Sequence, residues 1–154
     1  MVSSYDDIYS KFLGLVESYE LLSLDKSDAY AQMGEWIEKV VYMPKVRKLF
    51  SSISLDGEVM EVTYELRNSI DEDYDKGFVE NLLANGMVIG WLEPRMMSEK
   101  LVRQFFGGRE QKYFAQSNHA SAVMELYEKA RKVLDKDYSR DHGYAAFLIK
   151  GGAT

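Results

Sequence analysis

The stretch at residues 71–94 constrains the fold more than any other part of the sequence. Its apolar residues recur with the 3.6-residue period of an α-helix. Three acidic residues open it, where the positive end of a helix dipole favours negative charge. Pro94 lacks a backbone N–H, so we expect it to end this helix. The wide apolar face consists of Phe78, Val79, Leu82, Leu83, Met87, Val88, Trp91 and Leu92.

Gly86 and Gly90 lie four residues apart on one face of this predicted helix, next to Trp91. A glycine inside a helix costs about 1 kcal/mol relative to alanine. Close approach of another helix would compensate that cost, so Gly86, Gly90 and Trp91 are the predicted helix-packing residues. The alternative is that the two glycines are merely tolerated.

Other apolar stripes with the same period predict further helices. Pro44 should end or kink the second of them, and one short turn could follow it. The predicted starts are Ser3 or Ser4, Ser27 or Asp28, Ser98, and Ser117 or Asn118, and the first helix ends near Ser18.

Residues 58–67 follow a different pattern, in which apolar and polar side chains alternate. A period of two with β-branched and aromatic residues predicts a strand, and Asp56-Gly57 before it is a turn signal. A lone strand cannot satisfy its backbone groups. Its partner therefore comes from this chain, with Tyr144 to Ile149 as one candidate, or from a neighbouring subunit.

The predicted fold is mainly α: a small bundle of four to five helices, with a short β-hairpin or lone strand near residues 58–67 and an extended C-terminal tail. The 154 residues fit one domain. We expect a helical domain at residues 1–140 and a tail at residues 141–154 that docks on a partner. The predicted docking residues are Tyr144, Phe147, Leu148 and Ile149.

The composition excludes several classes of protein. The chain has no cysteine, which excludes disulfides, cysteine zinc sites and thiol catalysis. The first residues do not form a signal peptide, and no apolar run reaches the length of about 18 residues that a spanning helix needs. We therefore expect an intracellular protein without a membrane partner.

Motifs for chemistry are weak. The run from Asp71 to Gly77 resembles a calcium loop, but Lys76 and Leu82 stand where an EF-hand needs glycine and glutamate. Acidic residues at a helix start explain the same run. The two histidines, His119 and His142, have no partner at ligand spacing. We therefore predict no catalytic residue, no metal and no cofactor, and a protein that is not an enzyme.

Charge is distributed unevenly along the chain. Residues 1–50 carry a net charge of −2, residues 51–94 carry −8, and residues 95–154 carry +4. An acidic middle and a basic C-terminal third predict a dipolar molecule that could stack head to tail. The basic residues could also follow DNA phosphates in a channel without contacting bases.

Three motifs carry a resemblance to a known family. They are Ser4-Tyr5-Asp6-Asp7-Ile8-Tyr9 at the start, Trp91-Leu92-x-Pro94 at the end of the main helix, and Lys112-x-Phe114-x-Gln116-Ser117-Asn118-His119 at the start of a charged helix, with Phe105 and Phe106 between the last two. In these motifs the chain resembles small neck proteins of tailed phages of Gram-positive hosts, described as head–tail connectors or adaptors.

The resemblance implies a structural virion protein that forms a ring, typically dodecameric, between the portal and the tail. The ring would extend the DNA channel, and its partners would be other copies of the chain, the portal protein and the next neck or tail-completion protein. The location would be the virion neck, and the host cytoplasm during assembly. The neck layer stays open between adaptor, stopper and tail terminator. The alternative is a small helical interaction or regulatory protein that acts on a host factor.

Overall fold

The computed structural model describes residues 1–16, 26–106 and 124–135, with side chains described for residues 1–16, 30–94 and 124–135. Helices dominate, and a small antiparallel sheet packs beside them. The predicted fold class is therefore confirmed. In chain order the elements are β1 (Val2–Ser4), α1 (Tyr5–Val16), α2 (Lys26–Val41), α3 (Pro44–Arg47), β2 (Phe50–Asp56), β3 (Glu61–Leu66), α4 (Glu72–Phe106) and a helix, α5, at residues 124–135.

The sheet has the strand order β1-β3-β2, with both pairs antiparallel. The strand predicted near residues 58–67 is its central strand, β3, and its alternation decides which side chains are buried. Val62, Tyr64 and Leu66 face the core, while the residues between them are exposed. Because β1 and β2 occupy both edges of β3, its partners lie within the chain. The other candidate partner, residues 144–149, lies outside the described residues.

A tight turn joins β2 to β3. The side chain of Asp56 accepts hydrogen bonds from the N–H groups of Glu58 and Val59, at 2.9 and 3.2 Å. Met60 has a φ of 57°, in the left-handed region that non-glycine residues rarely adopt. Its carbonyl accepts a hydrogen bond of 2.9 Å from the N–H of Tyr5. The hairpin turn is thereby tied to the first residue of α1.

Two predicted helix starts are confirmed by side-chain caps. Ser4 Oγ accepts the N–H of Asp7 at 3.1 Å. Asp71 Oδ1 accepts the N–H of Tyr74 at 2.8 Å, directly before α4. A carboxylate or hydroxyl in this position satisfies a backbone donor that has no partner inside the helix. The acidic run that resembles a calcium loop therefore opens α4.

The two prolines behave differently. The prediction that Pro44 ends or kinks the second helix is confirmed, since α2 ends at Val41 and Pro44 is the first residue of α3. The expectation that Pro94 ends a helix is wrong, because α4 runs through it to Phe106. Proline removes one backbone hydrogen bond, a local cost that a long, well-buried helix can absorb. The short helix predicted from Ser98 is therefore the second part of α4.

α4 lies at the centre of the core, with α1 and α2 packed against it. Every residue from Leu82 to Ile89 is buried. Phe12 of α1 touches tryptophans from both other helices, with ring centroids 5.5 Å from Trp36 and 6.3 Å from Trp91. Burial of one large apolar side chain stabilises a fold by about 1.5–3 kcal/mol. The packing of α1 and α2 on α4 therefore supplies much of the stability.

α5 lies beside α3 and α4. Its Ala130 and Leu134 are buried, and Asp135 forms an ion pair of 2.7 Å with Lys45 of α3. The ion pair is exposed to solvent, so it contributes little compared with the buried apolar residues. The predicted start of this helix at Ser117 or Asn118 and the predicted tail at residues 141–154 lie outside the described residues.

Candidate functional site

The candidate site begins at β2, one of the two edge strands of the sheet. β2 pairs with β3 on one side, and no other described strand pairs with its second side. The guanidinium groups of Arg47 and Arg67 donate hydrogen bonds to the carbonyl of Phe50 at the start of β2, and the exposed Asp56 ends the strand. Edge strands often carry such charges, which prevent pairing with another chain.

A cleft of about 840 Å³ lies between β2 and α2. One wall contains three consecutive residues of β2, Ile53, Ser54 and Leu55. Ile53 and Leu55 lie opposite the buried Tyr64 and Val62 of β3, so their side chains are on the face of the sheet that is turned toward the core. The facing wall comes from α2, and α1 and the hairpin turn close the end. The lining residues outside β2 are Tyr5, Tyr9, Tyr30, Ala31, Gly34, Glu35, Glu38, Val41, Tyr42, Arg47, Gly57 and Met60.

Four tyrosines give the cleft an aromatic lining. Tyr5 and Tyr9 lie four residues apart on α1, with ring centroids 5.6 Å apart, and Tyr30 of α2 continues the cluster at 5.5 Å from Tyr9. Tyr30 and Tyr42 are 44% and 71% exposed. Exposed tyrosines offer a flat apolar surface together with a hydroxyl, a combination that is enriched at protein interfaces.

The hydroxyl of Tyr9 is buried and has no hydrogen-bond partner within the described part of the chain. Burial raises the pKa of Tyr9 above its ordinary value, and the neighbouring Tyr5 and Asp6 raise it further. Burial also raises the pKa of Tyr5, with Asp56 and Glu38 adding to the effect. Both phenols therefore stay protonated well above neutral pH.

The charges of the cleft are mostly negative. Glu35 and Glu38 of α2 line it, and Asp56, the last residue of β2, lies near enough to raise the pKa of the lining residue Tyr5. Arg47 of α3 is the cation among the lining residues. Acidic groups beside tyrosine rings favour a partner with positive charge, because both carboxylates and ring faces attract cations. The cleft therefore favours a partner segment that carries positive charge and apolar side chains.

A second polar cluster is buried between β1, β3 and α4. The hydroxyl of Ser3 donates to Glu80 Oε1 at 3.0 Å and lies 3.1 Å from the hydroxyl of Tyr64. Because Ser3 has one proton to give, Tyr64 donates to Ser3. Lys11 of α1 completes the cluster with an ion pair of 3.0 Å to Glu80. These groups satisfy one another, so the cluster holds the sheet to the helices.

The predicted helix-packing residues lie at the contact between α2 and α4. A Cβ atom added to Gly86 would overlap Val40 Cγ1, and one added to Gly90 would lie 3.3 Å from Trp36 Cδ1. Trp91 is 2% exposed. The glycines therefore let the two helices approach closely. The predicted docking residues Tyr144, Phe147, Leu148 and Ile149 lie outside the described residues.

The cleft is not apparent from the sequence. The spacing of Tyr5 and Tyr9 places both on one face of α1, and the same holds for Glu35 and Glu38 on α2. These spacings were available, but only the tertiary structure brings the two faces together beside β2. In the described residues, no group of three or more histidine, cysteine, aspartate or glutamate side chains is placed to hold a metal ion.

A scan of protein-family models, a search of curated proteins and a search of solved structures each found no match for this chain. Among the described helices, none is both long enough and apolar enough to cross a membrane.

Proposed function

We propose that this chain is a structural protein of the phage neck. It forms a head–tail connector or adaptor ring between the portal and the tail, and the ring extends the DNA channel. Its partners are other copies of the chain, the portal protein and the next neck or tail-completion protein, and channel DNA is contacted without sequence preference. It acts in the virion neck after assembly in the host cytoplasm. The role is structural, with no enzymatic step.

The observation that carries this proposal is the cleft between α2 and β2. A closed ring of identical subunits needs two different faces on each protomer, one that gives and one that receives. The cleft provides a receiving face with acidic and aromatic groups. The basic C-terminal third of the sequence provides residues of opposite charge.

The sequence resemblance supplies the specific biological context. Its first motif forms the cap and first turn of α1, where Ser4 caps the helix and the N–H of Tyr5 donates to the carbonyl of Met60 in the hairpin turn. Its second motif, Trp91-Leu92-x-Pro94, lies inside α4 and not at its end. Trp91 and Leu92 are buried in the core, so this motif contributes to folding.

The tail at residues 141–154 is proposed to dock on the portal or on an adjacent subunit. Deletion of these residues should abolish co-purification with the portal protein of the same genome and leave the helical circular dichroism of the chain unchanged. A matched control variant, Lys150→Ala, should retain portal binding, since it keeps the apolar run at residues 144–149. Unchanged co-purification after the deletion would contradict the role of the tail.

The cleft also fits the alternative function, a small interaction or regulatory protein that binds an extended segment of a host factor. Portal binding separates the two proposals. If the chain does not bind the portal protein but binds one defined host protein in its cleft, this result favours the alternative.

A further inference from the structure

The wall of the cleft that belongs to α2 contains one row of residues along the helix. Positions four apart share a face of a helix, and the row consists of Tyr30, Gly34, Glu38 and Tyr42, all of which line the cleft. The tyrosines at both ends of the row are exposed. Since Gly34 adds no side chain, the row leaves room at its middle for a group that enters the cleft.

Two glutamates of this wall have no counter-ion within the described part of the chain. Glu35 and Glu38 are exposed, and neither forms an ion pair there, although Lys39 follows Glu35 at the i+4 position. The lining residue Arg47 donates to the carbonyl of Phe50. Like charges that neighbour each other on a helix repel, so a cation supplied by a partner would stabilise both glutamates.

Tyrosine rings lie beside these carboxylates. The ring centroids of Tyr5 and Tyr9 are 5.6 Å apart, and the ring of Tyr30 is 5.5 Å from that of Tyr9. Burial raises the pKa of Tyr5, and Asp56 and Glu38 are close enough to raise it further. A guanidinium group stacks on an aromatic ring and pairs through its N–H groups with a carboxylate, whereas the ammonium group of lysine is more strongly hydrated. Arginine therefore fits this combination of groups better than lysine.

We propose that the cleft binds an arginine side chain of the next copy of this chain, with the guanidinium group between the tyrosine rings and the carboxylates of Glu35 and Glu38. This inference rests on the ring proposed above and names the group that its receiving face recognises. The cleft of about 840 Å³ is as large as pockets that hold a whole ligand. Apolar neighbours of the arginine can therefore enter with it and lie against Ile53 and Leu55.

Charge favours a second copy as the source of the arginine. Residues 95–154 carry a net charge of +4 and hold five of the seven arginines of the chain, Arg95, Arg103, Arg109, Arg131 and Arg140. The described residues that line the cleft include none from this basic part. A contact between the cleft of one copy and the basic part of the next brings opposite charges together.

A short peptide tests which group the cleft recognises. The full-length chain, labelled with ¹⁵N, is titrated with a leucine-arginine-leucine peptide with blocked ends, and the amide signals of three glycines are followed by NMR. Gly34 and Gly57 line the cleft, whereas Gly77 lies in α4 outside it. We expect saturable shifts at Gly34 and Gly57 and none at Gly77. A peptide with citrulline, which has nearly the shape of arginine but no charge, should bind roughly tenfold more weakly.

Two pairs of glutamates provide matched variants. Glu35→Gln with Glu38→Gln removes both charges from the cleft and should weaken binding of the arginine peptide roughly tenfold. Glu61→Gln with Glu65→Gln removes the same charge from the face of β3 that is turned away from the core. Neither residue lines the cleft, so this control should leave peptide binding unchanged.

Gly34→Leu tests occupation of the cleft without a change of charge. An added Cβ at Gly34 would lie 3.7 Å from the hydroxyl of Tyr9, an ordinary contact, so α2 should tolerate the substitution. The leucine side chain would fill the middle of the cleft and should abolish peptide binding, while the circular dichroism of the chain stays the same.

Sedimentation velocity of the full-length chain tests the source of the arginine. Self-association should weaken in the cleft pair of variants and not in the control pair, and an excess of the arginine peptide should compete with it. Self-association that is absent, or that the cleft pair leaves unchanged, would overturn the proposal. So would equal binding of the citrulline peptide, equal effects of the two pairs of variants, or an absence of shifts at Gly34 and Gly57.

Assembly on the portal protein is measured separately with the same variants. Portal-bound rings that form equally well with the cleft pair of variants would refute this inference alone. Peptide binding and self-association without portal binding would refute the phage-neck function alone.

Discussion

At the scale of single residues, Gly86 shows how a sequence pattern becomes a packing constraint. Its missing side chain lets Val40 of α2 lie directly against the backbone of α4. Gly86 and Gly90 could be predicted as packing residues because glycine is unfavourable within a helix. Whether another helix packs closely on them could not be predicted, since this depends on the residues of the second helix.

Gly86→Ala should lower the free energy of unfolding by about 1–3 kcal/mol, because the new methyl group overlaps Val40 and the helices must separate. Gly77→Ala in the same helix is the control. An added Cβ there meets nothing within 4 Å, so the control should raise stability by about 0.4–1 kcal/mol. Urea denaturation of the two variants measures both values. Equal effects would contradict the close contact between α2 and α4.

The hydroxyls of Tyr9 and Tyr64 should respond differently to removal. Tyr9 is buried with no hydrogen-bond partner in the described structure, so Tyr9→Phe should leave stability unchanged or slightly raised. Tyr64 donates to Ser3, so Tyr64→Phe should cost about 1 kcal/mol. Thermal unfolding compares the two substitutions. A larger loss for Tyr9→Phe would show that its hydroxyl already has a partner.

The raised pKa of Tyr9 predicts a dependence on alkaline pH. The unfolded chain loses the phenolic proton at a pKa of about 10, whereas the folded chain holds it to higher pH. The stability linked to Tyr9 is therefore fully present below pH 10 and falls as the pH rises above it. Denaturation curves at pH 9 and pH 11 should show a smaller loss for Tyr9→Phe than for the parent chain. An equal loss would contradict the burial of this phenol.

At the scale of elements, the sequence predicted those whose residues carry their own periodic signal. β3 alternates cleanly and was predicted, while β2 was not, because its serines at positions 51, 52 and 54 interrupt the apolar pattern. β1 has three residues, too few for a period to appear. Both strands form because the backbone N–H and C=O groups of β3 need hydrogen-bond partners. This requirement of the tertiary structure is not visible in the local sequence of β1 or β2.

At Pro94 a strong local signal gave a wrong prediction. Proline usually ends a helix, but α4 continues through Pro94. Pro94→Ala restores a helical hydrogen bond in a helix that continues on both sides, and Pro94 is exposed. We expect a gain in stability of up to about 3 kcal/mol. Chemical denaturation monitored by circular dichroism measures this gain. No change in stability would indicate that the helix ends at this position.

At the scale of the whole molecule, the core and the cleft differ in how far the sequence could predict them. The mainly helical bundle could be predicted from the apolar stripes of the sequence. Residues of these stripes, such as Ile8, Phe12, Ile37 and Leu83, are buried in the core. The cleft depends on the distance between α2 and β2, two elements that are separate in the sequence. The uneven charge predicted that unlike faces exist, but it did not locate the receiving face.

A tyrosine-lined cleft with two glutamates lies between α2 and β2, and we propose that it receives the next subunit of a ring. Negative-stain electron microscopy of the full chain mixed with the portal protein of the same genome tests this claim most directly. The account predicts closed rings with a central channel, stacked on the portal. A chain that stays monomeric and leaves the portal bare at saturating concentration would contradict it.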